Sequence, residues 1–168
     1  MSSILLSKED VLRFLPHRDP FLFIDTVTSI EIPNIGFYAV GDEIDKNHLV
    51  GSIVLAQYQV DERMTLLQGH FPGNPIVPGV IQVEMMAQAS AFSVMALTTH
   101  PFAAALDVSL IKVEGANFRK PIRPGMNLTI KALCVRLRKQ MMSHEAWIYH
   151  EGEMMAETSL FAMASFSV

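Results

Sequence analysis

The segment from Val80 to Leu97 constrains this chain more than any other. It has helix length, contains no Gly or Pro, and is apolar on nearly every side, with Val80, Ile81, Val83, Met85, Met86, Ala87, Ala89, Ala91, Phe92, Val94, Met95, Ala96 and Leu97. A helix without a polar face must be covered on most sides by the rest of the protein. Thr98 to Pro101 is expected to end it. The remaining chain supplies strands. Phe21 to Ile32, Phe37 to Ile44, Gly51 to Val60, Leu106 to Phe118, Leu128 to Arg138, Met142 to Tyr149 and Met154 to Phe166 are rich in β-branched and aromatic residues or show alternation. Pro33-Asn34-Ile35-Gly36 and Arg119 to Gly125 read as turns, and Glu151-Gly152-Glu153 as a hairpin tip. One buried helix among strands, with connections too short for repeated βαβ units, predicts an α+β domain whose antiparallel sheet wraps the helix. The 168 residues fit a single domain, 1–168, with a sizeable core. Near the N-terminus, Ser7-Lys8-Glu9-Asp10 reads as a capping box for a short helix that Pro16 stops.

Composition narrows the function classes. Apolar residues make up 50% and charged ones 18%, so little polar cover is left and subunit contacts are expected. No uninterrupted run of about 18 apolar residues occurs, so no membrane span is expected. No signal-peptide core precedes the first helix, and the single Cys134 cannot form an internal disulfide and is expected to be buried. These features place the chain in the cytoplasm by default. The formal net charge is −4, yet eight of the thirteen Lys and Arg residues follow residue 111: Lys112, Arg119, Lys120, Arg123, Lys131, Arg136, Arg138 and Lys139. They are either solvated strand and turn positions or a docking surface for an acidic partner. Nucleic acid is not an expected partner, because the whole chain is acidic and lacks a basic–aromatic stacking pattern.

The chemistry is concentrated just before and within the apolar helix. His70 sits in Gln68-Gly69-His70-Phe71-Pro72-Gly73-Asn74-Pro75-Ile76-Val77-Pro78-Gly79, a loop stiffened by Pro and opened by Gly. Its imidazole can accept a proton near neutral pH. Fourteen residues later Glu84 stands among apolar neighbours. Desolvation there is expected to raise its pKa and suit it to act as an acid or to hold a water; the alternative is a snorkelling or salt-bridged side chain. Gln88 shares its face one turn on and either orients Glu84 or satisfies a polar groove. Pro78 and Gly79 open the helix, where unpaired N–H groups and the dipole favour negative charge. A base, an acid and an oxyanion site suit β-elimination of water from a 3-hydroxyacyl compound. His17, His48, His100, His144 and His150 show no metal-ligand spacing, and neither a phosphate loop nor a nucleophile elbow occurs. The methionines, such as Met85, Met86, Met141, Met142, Met154 and Met155, read as flexible core filler.

The chain resembles the (3R)-hydroxyacyl-[acyl-carrier-protein] dehydratases of type II fatty acid synthesis. The resemblance spans most of the chain and rests on Leu15-Pro16-His17-Arg18 with Pro20-Phe21-Leu22, Gly69-His70-Phe71-Pro72-Gly73 with Pro75-Ile76, Pro78-Gly79-Val80, Glu84 with Met86-Ala87-Gln88, and Phe118-Arg119-Lys120-Pro121 with Pro124-Gly125. It implies the hotdog fold, an obligate homodimer often assembled as a trimer of dimers, and a site in which the histidine comes from one subunit and the glutamate from the other. It implies His70 and Glu84 as catalytic, the Gly79 N–H as donor to the thioester carbonyl, and Val80, Phe71 and Gln88 as substrate-binding. It further implies an apolar tunnel for an acyl chain carried on the phosphopantetheine arm of an acidic acyl carrier protein, with no metal or organic cofactor. Aspartate stands at the Glu84 position in the related dehydratase–isomerases, so the chain resembles the dehydratase-only branch. It departs from the family at Asp19, Thr26, in the longer stretch over 33–51, and in Asp61 to Leu67, all near the expected tunnel and interface. Two rival readings remain open at this level: a thioesterase on the same fold, and a non-catalytic acyl-binding subunit.

Overall fold

The computed structural model describes residues 4–103 and 105–167. Helix α1 spans Lys8–Phe14, with strands β1 at Thr26–Ile32, β2 at Gly36–Phe37 and β3 at Ile53–Gln59. Helix α2 covers Thr65–Gln68 and α3 covers Gly79–Ala91, continued by a 3-10 segment over Phe92–Leu97. Strands β4 (Ala105–Phe118), β5 (Asn127–Arg138), β6 (Met141–His150) and β7 (Glu153–Ser167) complete the chain. The seven strands form one sheet in the order β2-β1-β3-β5-β6-β7-β4, with every pairing antiparallel. This is the α+β, sheet-on-helix arrangement expected from the sequence.

The sheet curls around α3, which packs against β3, β4, β5, β6 and β7. Alternation makes this possible. In β3 and β5 every second residue is buried, so Val54, Ala56 and Tyr58 and Leu128, Ile130, Ala132 and Cys134 face the core. Met85, Met86 and Ala89 of α3 have no exposed surface and fill the space between. Met142 and Met155 are also buried, whereas Met141 is half exposed and is not core filler. Gly79–Leu97 is long and apolar enough to cross a membrane by length and composition, but 72% of it is buried inside the protein. Its hydrophobicity is accounted for by the sheet that surrounds it.

The boundaries differ from the expected ones for identifiable reasons. Helix α1 begins as predicted, with Ser7 and Asp10 forming both bonds of the capping box. The strand expected from Phe21 starts only at Thr26, because Phe21 and Phe23 give their backbone groups to the Gln88 side chain instead of to a neighbouring strand. The strand expected over Phe37 to Ile44 is reduced to Gly36–Phe37. Beyond it the chain turns at Gly41, whose φ of +100° suits glycine, and Ile44 N–H donates to Ala96 O to cover the end of the helix. The expected helix changes character after Ala91. Ser90 Oγ donates to Met86 O and Ser93 Oγ to Ser90 O, and such back-bonding competes with regular α-helical turns. The stretch leading into the His70 loop contains the single turn of α2.

β4 is an edge strand of fourteen residues, and most of it is exposed. Leu110, Ile111, Val113 and Phe118 all lie between 38% and 53% exposed. Truncating the buried centre of α3 tests the packing argument. Met85→Ala is expected to cost about 2–5 kcal/mol of unfolding free energy, measured by urea denaturation, because its neighbours line a closed core.

Candidate active site

His70 follows α2, whose last turn receives its backbone N–H at Leu67 O. The loop then folds back on itself. Phe71 and Asn74 exchange backbone hydrogen bonds around Gly73, whose φ of +75° favours glycine. Ile76 N–H donates to His70 O, and Arg123 from the β4–β5 turn holds Asn74 Oδ1 at 2.7 Å. The ring is fixed in the same way. His70 Nδ1 lies 2.9 Å from Ile76 O, and a carbonyl can only accept, so Nδ1 carries the hydrogen. In the neutral ring Nε2 is therefore an open lone pair, the state required of a proton acceptor. Phe71 stacks on the imidazole at 4.2 Å between ring centroids.

His70 lines an open cleft of about 240 Å³ with Ile76, Val77, Gly79, Gln82, Phe118, Arg119, Lys120 and Pro121. Gly79 is the first residue of α3, after Pro78 at the N-cap, which makes no side-chain capping bond. The N–H groups of Ile81 and Gln82 go to Pro78 O, leaving those of Gly79 and Val80 without a backbone acceptor among the described residues. A Cβ at position 79 would lie 2.8 Å from the Phe118 ring, so glycine lets that ring close over the helix start. Gln82 is 4% exposed and donates to Val77 O, while its Oε1 has no partner among the described residues.

Glu84 stands on another wall of the molecule. Its Oε1 accepts from Gln88 Nε2 at 2.9 Å and lies 3.2 Å from His17 Nε2. Gln88 is buried and spends its amide fully: Oε1 accepts from Phe23 N–H, and Nε2 donates to both Phe21 O and Glu84. The loop carrying His17 is closed by Arg18, which donates to Leu15 O and His17 O. The hydrogen bond from His17 holds the Glu84 carboxyl below its usual pKa, and Gln88 adds to this against the opposing effect of burial. This corrects the expectation of a raised pKa. Burial alone suggests a raised value, but the donor arriving from His17, with Gln88 one turn along the same helix, outweighs it.

Of the residues singled out from sequence, His70 and Gly79 share one cleft, and Glu84 and Gln88 share one hydrogen-bond network. Within a single chain the cleft around His70 does not include Glu84. Phe71 is exposed beside His70, and Val80 is 76% exposed; neither lines the cleft. Sequence reasoning missed His17 and Gln82. His17 could have been flagged by its place in the Leu15-Pro16-His17-Arg18 motif, and Gln82 by its position three residues after Gly79 on the same helical face. Among the eight clustered cations, Arg119 pairs with Glu157, Lys120 with Glu153 and Lys112 with Glu114, and Lys131 lies over Trp147.

The family described as ApeI-like (ApeI dehydratase) matches residues 46–158. The 3-hydroxyacyl-[acyl-carrier-protein] dehydratase FabZ of Ehrlichia chaffeensis is 35% identical over 155 residues, covering 92% of each chain. The chain belongs to the 3-hydroxyacyl-[acyl-carrier-protein] dehydratase family. The FabZ of Acidiphilium cryptum is 36% identical over 153 residues, covering 91% of this chain and 81% of the relative. Among solved structures, the dehydratase heterocomplex ApeI:P from Xenorhabdus doucetiae superposes with a TM-score of 0.62 at 19% identity, covering 92% of this chain and 90% of that one. At that identity the likeness speaks for the fold, and the fold is the hotdog. Family membership makes this dehydratase a hydro-lyase, as the sequence resemblance implied.

Two measurements check the site. Replacing His17 with Phe removes the donor that most lowers the Glu84 pKa, so the Glu84 carboxyl should titrate at a higher pH in the variant, read by carbon NMR. Glu84 contributes stability above its unfolded pKa that is lost as pH falls through its depressed folded value. The acid side of the stability profile should therefore be flatter in His17→Phe. Gly79→Ala should displace the Phe118 ring, lowering turnover while changing unfolding free energy by less than about 1 kcal/mol, since alanine is the better helix former.

Proposed function

We propose that this dehydratase removes water from a (3R)-3-hydroxyacyl chain on acyl carrier protein to give the trans-2-enoyl thioester. The observation that carries the reading is the fixed tautomer of His70, with its open Nε2 in the same cleft as the start of α3. Nε2 takes the α-proton. The N–H of Gly79, aided by the helix dipole, hydrogen-bonds the thioester oxygen as negative charge moves onto it. The ionised Glu84 accepts a hydrogen bond from the β-hydroxyl and holds it for departure. The imidazolium formed at His70 returns its proton to that oxygen. The Cα–H and Cβ–O bonds are exchanged for a C=C bond and one water, and both residues end as they began.

Glu84 and His70 reach one substrate if two copies of the chain come together. The exposed edge of β4 and the exposed Val80 on α3 supply the apolar surface for that contact. In this reading the unit is a homodimer, and a trimer of dimers adds further contacts. Arg119 and Lys120, at the cleft mouth, receive the acidic carrier and the phosphate of its phosphopantetheine arm. The whole of 1–168 acts as one hotdog domain, and the cytoplasm is its place of work. No metal or organic cofactor enters any step.

A carrier-bound 3-hydroxyacyl substrate should yield ultraviolet absorbance of the enoyl thioester without release of free thiol. Thiol release without enoyl formation would identify a thioesterase instead. His70→Ala should lower turnover by about 10²- to 10⁴-fold. Co-expression of His70→Ala with Glu84→Gln tests the shared site: mixed dimers should recover part of the activity that each variant lacks alone. An absence of recovery in purified mixed dimers would place both residues in the same chain's site.

A further inference from the structure

A groove of about 530 Å³ lies apart from the chemistry above and shares no lining residue with the His70 cleft. One wall comes from Asp19, Leu22 and Asp25, ahead of β1, with Lys8 of α1 beside them. The other is Asp61 to Arg63, between β3 and α2. Four carboxylates and two cations line the space, leaving two negative charges uncompensated. Two of the carboxylates are committed. Asp25 accepts from Lys8 Nζ at 2.7 Å and from the Gln59 N–H at 2.8 Å. Asp61 accepts from the Arg63 backbone N–H at 2.8 Å and from its guanidinium Nε at 3.3 Å. The side chains of Asp19 and Glu62 have no hydrogen-bond or ion-pair partner among the described residues.

An acidic wall alone attracts only counterions, and Tyr58 distinguishes this one. It is 7% exposed, and its ring packs edge-on against Phe23 with 6.0 Å between centroids. Its hydroxyl makes no hydrogen bond to another described residue. The oxygen still keeps accessible surface, unlike the fully enclosed orphan atoms of Ser52 and Gln82. The charges of Asp25, Asp61 and Asp19 all act on it, so it stands among the carboxylates that line the groove. Burial first, and then those charges, push its pKa up to about 12, so the group is a neutral hydroxyl able to accept a hydrogen bond. A hydroxyl that has lost most of its water and gained no protein partner is costly unless a ligand supplies one. Among the described residues no group of three or more His, Cys, Asp or Glu side chains is placed to hold a metal ion. The carboxylates are therefore spread along the groove and do not converge on one point.

We propose that this groove binds a small aliphatic diammonium ion. Asp19 and Glu62 take its two ammonium groups, Tyr58 Oη accepts a hydrogen bond from one of them, and the spacer lies on Leu22 and Val60. An ammonium has three donors and no acceptor, which matches a wall of carboxylates and an unpartnered hydroxyl. Two charges on a flexible spacer match two free carboxylates that do not converge. A divalent metal ion needs converging oxygens, and a single ammonium leaves one carboxylate unanswered. The site is separate from the dehydratase chemistry and does not depend on that reading.

The test is calorimetric titration of the full-length protein with a series of linear diaminoalkanes of increasing length, at fixed ionic strength. Butylamine and magnesium chloride serve as comparison ligands. The diamine of best-fitting length should bind once per chain and about fivefold more tightly than butylamine, and magnesium should show no saturable binding. Asp19→Asn and Glu62→Gln should each bring the diamine down to the affinity of butylamine. Tyr58→Phe keeps the ring and removes only the oxygen. It should weaken the diamine about fivefold, the range of one net hydrogen bond, and leave the thermal unfolding midpoint unchanged. Glu151→Gln, on the exposed β6–β7 turn, should leave binding as it is, which separates the groove from general charge attraction. No saturable binding, equal affinity for butylamine and every diamine, magnesium bound as tightly, an unchanged affinity in Tyr58→Phe, or an equal loss in Glu151→Gln would each overturn the proposal. The comparison among ligands needs no variant, so it stands even where a substitution prevents folding. Binding is read without turnover, and failure of the dehydratase reading would show separately, as 3-hydroxyacyl substrates giving no enoyl absorbance.

Discussion

An apolar helix with almost no polar face can exist in water only if something encloses it, and the rest of this fold follows from that enclosure. Met85, Met86 and Ala89 reach complete burial because the sheet passes around α3 from β3 to β4. The strands can curl in this way because each presents every second side chain inward. The same enclosure makes any polar group on the helix consequential. Gln88 is buried, and all of its amide capacity is committed, tying the helix to the Phe21–Phe23 segment and to Glu84 at once. One side chain thereby delays the start of β1 and orients a carboxylate.

The site is divided in a way that separates rigid placement from chemistry. The His70 loop is held by backbone bonds, by Asn74 through Arg123, and by a carbonyl on Nδ1, so its open nitrogen has little freedom to turn. Glu84 is held by side chains, Gln88 and His17, whose donors keep it charged. A preorganised base and a preorganised acceptor lower the reorganisation required during reaction. Their separation within one chain, together with the exposed face of β4, gives the proposed dimer a chemical role as well as a packing one.

Much of this was readable in the residues. The α+β class, the single central helix, the capping box at Ser7, the burial of Cys134 and the hairpin at Glu151 to Glu153 all follow from local pattern, and the structure holds them. The errors have a common origin. Phe21 to Asp25 has strand composition, but a glutamine 65 residues away from Phe23 captures its hydrogen bonds. Tyr38 to Ile44 has strand composition too, but it leaves the sheet to cover the end of the helix. In each case a long-range partner outbid the local preference.

The same division applies to the site. By itself the sequence determined that a histidine in a stiffened loop, a glycine at a helix start and a lone carboxylate on an apolar helix belong together in a family, because those residue types and spacings are properties of the chain. Tertiary structure decided the state of each group. His17, 67 residues before Glu84, keeps that carboxylate ionised where the helix alone suggested the opposite. Ile76 O chooses the His70 tautomer. Protonation depends on which donors and acceptors lie within about 3 Å in space, and that neighbourhood exists only once the chain has folded.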